Sequence, residues 1–193
     1  YIPVAHSYIG VPAQLAMNDV LDRLKPVLEN PDIQKIGQNI KYDWMVLLRH
    51  GVNLCGVAFD TMLASYLINP AKRAHSLDQI ALDFLDHRMI SYEQVAGKGK
   101  AAICFSEVPV EKAVSYACED ADITFLAYRK LLPVLQEAGT LDLMKTVEMP
   151  LVPVLMRMEY NGIIVDQEKL QTLSKSLESR LDRIESSIYE IAG

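Results

Sequence analysis

Ile33-Gln34-Lys35-Ile36-Gly37-Gln38-Asn39-Ile40-Lys41-Tyr42-Asp43 is a brief apolar run that leads directly into a helical pattern. Ile33 to Ile36 predicts a short strand. Lys41 to His50 predicts a helix, with Trp44, Leu47 and Leu48 available for burial. Gly51 stands where a helix C-terminal cap is expected. The unit then repeats. Val57-Ala58-Phe59 reads as a second strand, and Thr61 to Leu67 as a helix stopped at Asn69-Pro70. Brief strands alternating with helices predict an α/β layer. Asp43 falls in the first helical turn after a strand, where the helix dipole favours an acid. Ligands of open α/β sheets also bind at strand ends. The segment by itself fits both capping and chemistry.

The flanking sequence extends this pattern. Tyr1 to His6 reads as a short strand, with Pro3 marking an edge or a strand end. Pro12 to Leu28 is helical in period, and Pro31-Asp32 ends it. Ser76 is placed as the N-cap of a further helix. Arg88 to Phe105 has little periodicity and reads as a long ordered loop or short helical turns. Pro109 opens a long helix reaching about Glu137. The composition changes after Gly139, which places a domain boundary near 138–140. Leu141 to Ala192 is helical in pattern, with a kink or restart expected at Pro150 and Pro153. Leu170, Leu173, Leu177, Leu181, Ile184, Ile188 and Ile191 form a narrow apolar seam on the last helix.

The long helix carries Ser115-Tyr116-Ala117-Cys118-Glu119-Asp120-Ala121-Asp122. Ala113, Ala117, Ala121, Phe125, Tyr128, Leu132 and Leu135 predict one apolar stripe. Asp120 then lies about 80° from its centre, at the margin, and Glu119 roughly opposite, in solvent. Tyr116 precedes Asp120 by four residues and shares its face. A metal ligand must be firmly held yet reachable from a cleft, and that margin provides both. A boundary acid beside a half-buried aromatic fits the same pattern.

Bulk properties narrow the field. The chain has 193 residues, half of them hydrophobic, and a net charge of −6. It is long enough for one full domain and part of another. The acidic balance argues against a protein that coats DNA, but not against a metal-centred enzyme with local basic contacts. Cys55, Cys104 and Cys118 and the four histidines lack metal-ligand spacing, so reduced thiols are expected. No apolar run approaches the roughly 20 residues of a membrane span. The chain opens on Tyr1 rather than Met and reads as an internal piece.

Taken together, the motifs resemble a known family. Gly37-Gln38-Asn39-Ile40-Lys41-Tyr42-Asp43, Ala58-Phe59-Asp60-Thr61-Met62-Leu63, Ala96-Gly97-Lys98-Gly99-Lys100, Tyr116-x-x-x-Asp120 and Glu148-Met149-Pro150-Leu151-Val152-Pro153 carry the likeness. It is to the proofreading 3′–5′ exonuclease domain of the bacterial family A DNA polymerases, of the ribonuclease H-like, DEDD type.

The resemblance implies a mixed sheet flanked by helices, with Tyr1 to His6 as its third strand and the first strands missing. Residues 1–138 would be a truncated exonuclease domain, and 139–193 the helical start of the polymerase domain. The implied chemistry is removal of nucleoside 5′-monophosphates from a DNA 3′ end, in replication and repair. Two divalent cations, Mg²⁺ or Mn²⁺, about 4 Å apart would serve it. Asp43 and Asp120 would be the metal ligands, and Tyr116 would orient the attacking water. Gln38, Asn39 and Tyr42 would contact the 3′-terminal nucleotides, Tyr92 would stack on a base, and Lys98 and Lys100 would meet phosphate. The implied partners are a single-stranded 3′ end, a primer-template and the rest of the polymerase, in the bacterial cytoplasm.

One feature departs from the family. Its first motif, Asp-x-Glu, is absent from the start of this sequence, and Asp32, Asp60 and Asp78 are expected elsewhere in the fold. The isolated chain is therefore expected to be nearly inactive. A non-catalytic spacer or DNA-binding module within a polymerase is the competing reading.

Overall fold

Lys35–Gly37 (β1) and Val57–Asp60 (β2) pair in parallel, with Lys35 opposite Val57, Ile36 opposite Phe59 and Gly37 opposite Asp60. The register is irregular between Lys35 and Ile36. Parallel pairing needs a crossover, and Ile40–Arg49 (α2) supplies it. In this computed structural model, which describes all residues from Tyr1 to Gly193, these two strands are the whole sheet. It is a small parallel sheet within a largely helical α/β fold.

Met17–Leu28 (α1) precedes β1. Thr61–Ile68 (α3) follows β2, and Leu77–Leu85 (α4), Tyr92–Ala96 (α5) and Val110–Glu137 (α6) come next. Leu141–Leu143 (α7) leads into a π-turn at Met144–Glu148, then Met149–Asn161 (α8) and Gln167–Ala192 (α9). The α/β reading therefore holds, with a helical segment after it.

The core forms where α6 packs on α3, α4 and β1. Ile40, Leu54, Phe59, Ala64, Ile80, Ala127, Leu131 and Leu135 share one buried cluster with Met144, Met149 and Val152. Phe59 meets Tyr128 edge-on, with ring centroids 4.9 Å apart. Each buried Ile, Leu, Val, Met or Phe of this cluster contributes about 1.5–3 kcal/mol.

Four expectations need correction. Tyr1 to His6 forms no strand. A strand exists only by pairing, and these backbone groups are satisfied otherwise. The His6 N–H donates to Gln14 Oε1 and the Gln14 amide returns a bond to His6 O, both at 2.8 Å. Ser7 N–H donates to Ser106 O at 2.7 Å. α1 accordingly begins at Met17, not Pro12. Second, the buried face of α6 carries Ala113, Ile123, Ala127, Leu131 and Leu135, while Ala121 and Phe125 are exposed. Third, Ser76 occupies the N-cap of α4, but its side chain makes no cap hydrogen bond. Fourth, the restart expected at Pro150 and Pro153 falls just ahead of both, where a π-turn ends at Glu148 and α8 opens at Met149. Both fall near the opening of α8, and the π-turn just ahead of Pro150 replaces the usual hydrogen-bond pattern, easing the missing N–H.

Gly51 behaves as read: it has φ of +75° directly after α2.

The chain divides into two compact units, Tyr1–Met158 and Glu159–Gly193. The first unit includes Met144, Met149, Val152 and Met156, all buried. Packing continues about twenty residues past the composition change at Gly139. In the second unit α9 buries no residue, and its seam from Leu170 to Ile191 is exposed.

Candidate functional site

Two strand-to-helix corners meet at one carboxylate. Asp60 ends β2, is almost fully buried, and caps α3 by accepting the N–H groups of Met62 at 2.8 Å and Leu63 at 3.4 Å. It also reaches back across the sheet. Asn39 N–H donates to Asp60 Oδ1 at 3.1 Å, and Ile40 N–H donates to Oδ2 at 2.9 Å. One side chain thus fixes the N-termini of both α2 and α3. Asn39 makes the turn in left-handed conformation, with φ of +52°. Gly37 permits the tight approach: a Cβ there would meet Ile40 Cβ at 2.8 Å.

Asp43 stands one turn into α2 and is accessible to solvent. Desolvation by the protein packed around it, then the Asp60 carboxylate, raise its pKa. Burial likewise raises Asp60, against the four backbone N–H donors that lower it. Thr61 hydroxyl donates to Gln38 Oε1, and Gln38 Nε2 donates to His75 O at 2.8 Å. The Gln38 amide therefore holds the turn from inside. Tyr42 is 62% exposed, leaving its ring face available.

The second group lies on α6. The Tyr116 hydroxyl lies near the Asp120 carboxylate, one helical turn away, close enough for each to shift the other's pKa. Tyr116 is pushed up to about 12 by burial first, then by the Asp120 carboxylate, with Asp78 and Tyr92 contributing. Burial also raises Asp120, helped by the nearby charges of Asp78 and Glu119, while the Tyr116 hydroxyl pulls it down. The Tyr92 ring, at the start of α5, meets Tyr116 edge-on at 6.2 Å and lies nearly parallel to Phe105 at 6.2 Å. Phe105 is 5.9 Å from Tyr116. These three rings form one cluster, and Tyr92 remains half exposed. An open cleft of about 530 Å³ adjoins it, with Asp78, His87, Arg88, Ser91 and Gln94 among its lining. Lys98 pairs with Glu93 at 3.1 Å on the surface, and Lys100 is exposed.

Glu119 corrects the sequence reading. Its side chain is 18% exposed rather than free in solvent. It accepts the Ile90 N–H at 2.6 Å and bonds His87 Nε2 at 2.8 Å. The buried face of α6 runs through Ile123, Ala127 and Leu131, and Glu119 lies toward the protein rather than opposite it. Asp60 and Asp78 need the same correction: they are the acidic neighbours of Asp43 and Asp120 respectively. A capping signal was visible at Asp60, directly before Thr61-Met62-Leu63. Nothing local marked Asp78.

The structure thus joins Tyr116, Asp120 and Tyr92, and sets Asp43 in a separate acidic pair with Asp60. No three His, Cys, Asp or Glu side chains converge in an ion-holding group. A pair of carboxylates leaves most of the six or so positions around a hard divalent cation unfilled. The residues present do not make a complete two-ion centre.

Comparison with known proteins shows the family of the chain. Residues 4–136 match the family model for 3′–5′ exonuclease, DNA_pol_A_exo1. The chain belongs to this exonuclease family. DNA polymerase I of Pseudomonas aeruginosa is 43% identical over 196 residues, covering 100% of this chain and 22% of the relative. DNA polymerase I of Rhizobium leguminosarum is 42% identical over 180 residues, covering 93% and 18%. That of Chloroflexus aurantiacus is 36% identical over 194 residues, covering 100% and 20%. The chain spans about a fifth of the length of these relatives. Among solved structures, the POL domain of Pol1 from M. smegmatis in complex with DNA primer-template and dNTP superposes with a TM-score of 0.69 at 24% identity, covering 88% of this chain and 26% of that one. A nuclease in its apo form gives 0.57 at 18% identity, covering 80% and 68%. These two likenesses establish the fold alone. The exonuclease family is generally divalent-metal dependent. No helix of the chain is long and apolar enough to cross a membrane.

Proposed function

We propose that the chain is the proofreading 3′–5′ exonuclease segment of a DNA polymerase I, releasing nucleoside 5′-monophosphates from a DNA 3′ end. The observation that carries this reading is the Tyr116–Asp120 pair. It lies inside the family-matched span, beside a half-exposed aromatic cluster and an open cleft.

The residue roles follow from the chemistry. Tyr116, raised to about 12, stays a neutral donor throughout the physiological range. It orients a water or the substrate and does not abstract a proton. Asp120, with its hydroxyl partner fixed, presents a positioned carboxylate, and Asp43 presents another at the α2 corner. Mg²⁺ or Mn²⁺, when bound, supplies water activation and charge stabilisation. Asp43 and Asp120 account for part of the ligand set, and this reading draws the rest from outside residues 1–193. Tyr42 and Tyr92 offer exposed rings for base stacking. Gln38 and Asn39 serve the 3′-terminal nucleotides, with Gln38 also tied to Thr61 and His75. Lys98 and Lys100 meet backbone phosphate. The partners are a single-stranded 3′ end, a primer-template and the remaining polymerase, and the setting is the bacterial cytoplasm in replication and repair. Residues 1–138 house the exonuclease work, and 139–193 open the polymerase domain.

The test uses a 5′-labelled single-stranded DNA. The full-length protein should shorten it stepwise with Mg²⁺, release mononucleotides, and stop on chelation. Residues 1–193 alone should be nearly inactive. Full-length protein that leaves the 3′ end intact under these conditions refutes the reading and favours a spacer.

A further inference from the structure

We propose that Glu119 is a positioning residue: it clamps the His87–Ile90 segment to α6 and thereby seats Tyr92 against the Tyr116–Asp120 pair. Its catalytic consequence rests on the function proposed above.

One helical turn of α6 faces two ways. Asp120 faces Tyr116, while Glu119 turns to the segment between α4 and α5. Both Glu119 oxygens are used: Oε2 accepts the Ile90 N–H at 2.6 Å and Oε1 meets His87 Nε2 at 2.8 Å. A backbone N–H bonded to a carboxylate is a charge-assisted contact, stronger than a neutral one.

The far end of the segment is equally fixed. His87 N–H donates to Ala81 O at 3.1 Å, and Asp86 turns the chain with φ of +51°. Met89 is buried with Ala81 and Ile123. Beyond Ile90, a capping box closes at once: Ser91 N–H donates to Gln94 Oε1 at 2.7 Å and Gln94 N–H to Ser91 Oγ at 3.3 Å. Tyr92 is the next residue, and its ring rests on Phe105 and Tyr116. A single residue, Ser91, therefore separates the clamped Ile90 from Tyr92, whose ring borders the reactive pair. Small misplacements of a positioned group cost large factors in rate.

The experiment measures single-stranded exonuclease kinetics of the full-length protein. Glu119→Ala should lower kcat about 10-fold with KM changed less than about twofold. Glu119→Gln keeps an oxygen for the Ile90 N–H and should recover to within about threefold of the parent. Asp120→Asn is the control for the underlying reading and should lose activity. Wild-type kcat in Glu119→Ala, with Asp120→Asn inactive, overturns the inference alone. Equal losses in Glu119→Ala and Glu119→Gln also overturn it, since charge and not the clamp would then be responsible. Wild-type activity in Asp120→Asn overturns the function itself. A check independent of any variant is amide exchange in the unsubstituted protein: the Ile90 amide should be protected, and free exchange there refutes the clamp.

Discussion

Replacing Asp60 with alanine would strip one carboxylate from two helix starts at once. Asn39, Ile40, Met62 and Leu63 would lose their acceptor, at 3.1, 2.9, 2.8 and 3.4 Å. Loss of one helix cap costs about 1 kcal/mol, and hydrogen bonds to a charged group contribute about 1.5–3 kcal/mol. Release from burying a charge offsets part of this, because Asp60 has its pKa raised chiefly by burial. The expected net loss is about 2–4 kcal/mol. Asp60→Asn keeps an oxygen for the three donors that meet Oδ1 and loses only the Ile40 bond, so about half that loss is expected. Urea unfolding of the chain followed by circular dichroism and by Trp44 fluorescence measures both. The pH trend has a definite sign. A carboxyl whose folded pKa lies above its unfolded value contributes most stability below the unfolded value near 3.9, and loses it as pH rises through the folded value. The Asp60→Ala penalty should therefore shrink between pH 3.5 and pH 7. In Asp60→Asn, the Asp43 pKa should fall toward the ordinary carboxylate value but stay above it, since desolvation is its larger cause. An Asp60→Ala chain within about 0.5 kcal/mol of the parent would refute the double-cap account.

Further outcomes follow from the same contacts. Tyr116→Phe should slow the full-length exonuclease about 10-fold, and should raise Asp120 further by removing the hydroxyl that lowers it. With Tyr116 at about 12, the pH–rate profile of the parent should show no tyrosine limb between about pH 7 and 10. A chain cut after Ala138 loses buried Met144, Met149, Val152 and Met156 and should unfold at lower urea than one cut after Met158. Asp43→Asn should be more stable than the parent at pH 7 and equal to it near pH 3, because the raised Asp43 pKa makes its charged form the unfavourable one. Thermal melts at the two pH values check this.

Much of the architecture was legible in the sequence, because strand and helix periods are local. β1, α2, β2 and α3 sit within a few residues of their expected positions. What failed depended on distant partners. Tyr1 to His6 has the composition of a strand, but pairing is not a local property. On α6, alanines at 113, 117, 121 and 127 look alike in composition, and only the packing of α3 and α4 decides which are buried. That ambiguity misplaced Glu119. Tyr116 and Asp120 were legible because a four-residue spacing fixes a shared helix face whatever packs beside it. Asp60 escaped notice as a joint because its reach to Asn39 and Ile40 spans about twenty residues of chain.

The most direct measurement is 3′-terminal mononucleotide release by the full-length protein and its Asp43→Asn and Asp120→Asn variants, in Mg²⁺, with DNA synthesis followed in parallel. The account predicts a loss of at least about 100-fold in release for each variant, with synthesis unchanged. Release at the parent rate by either variant would contradict it.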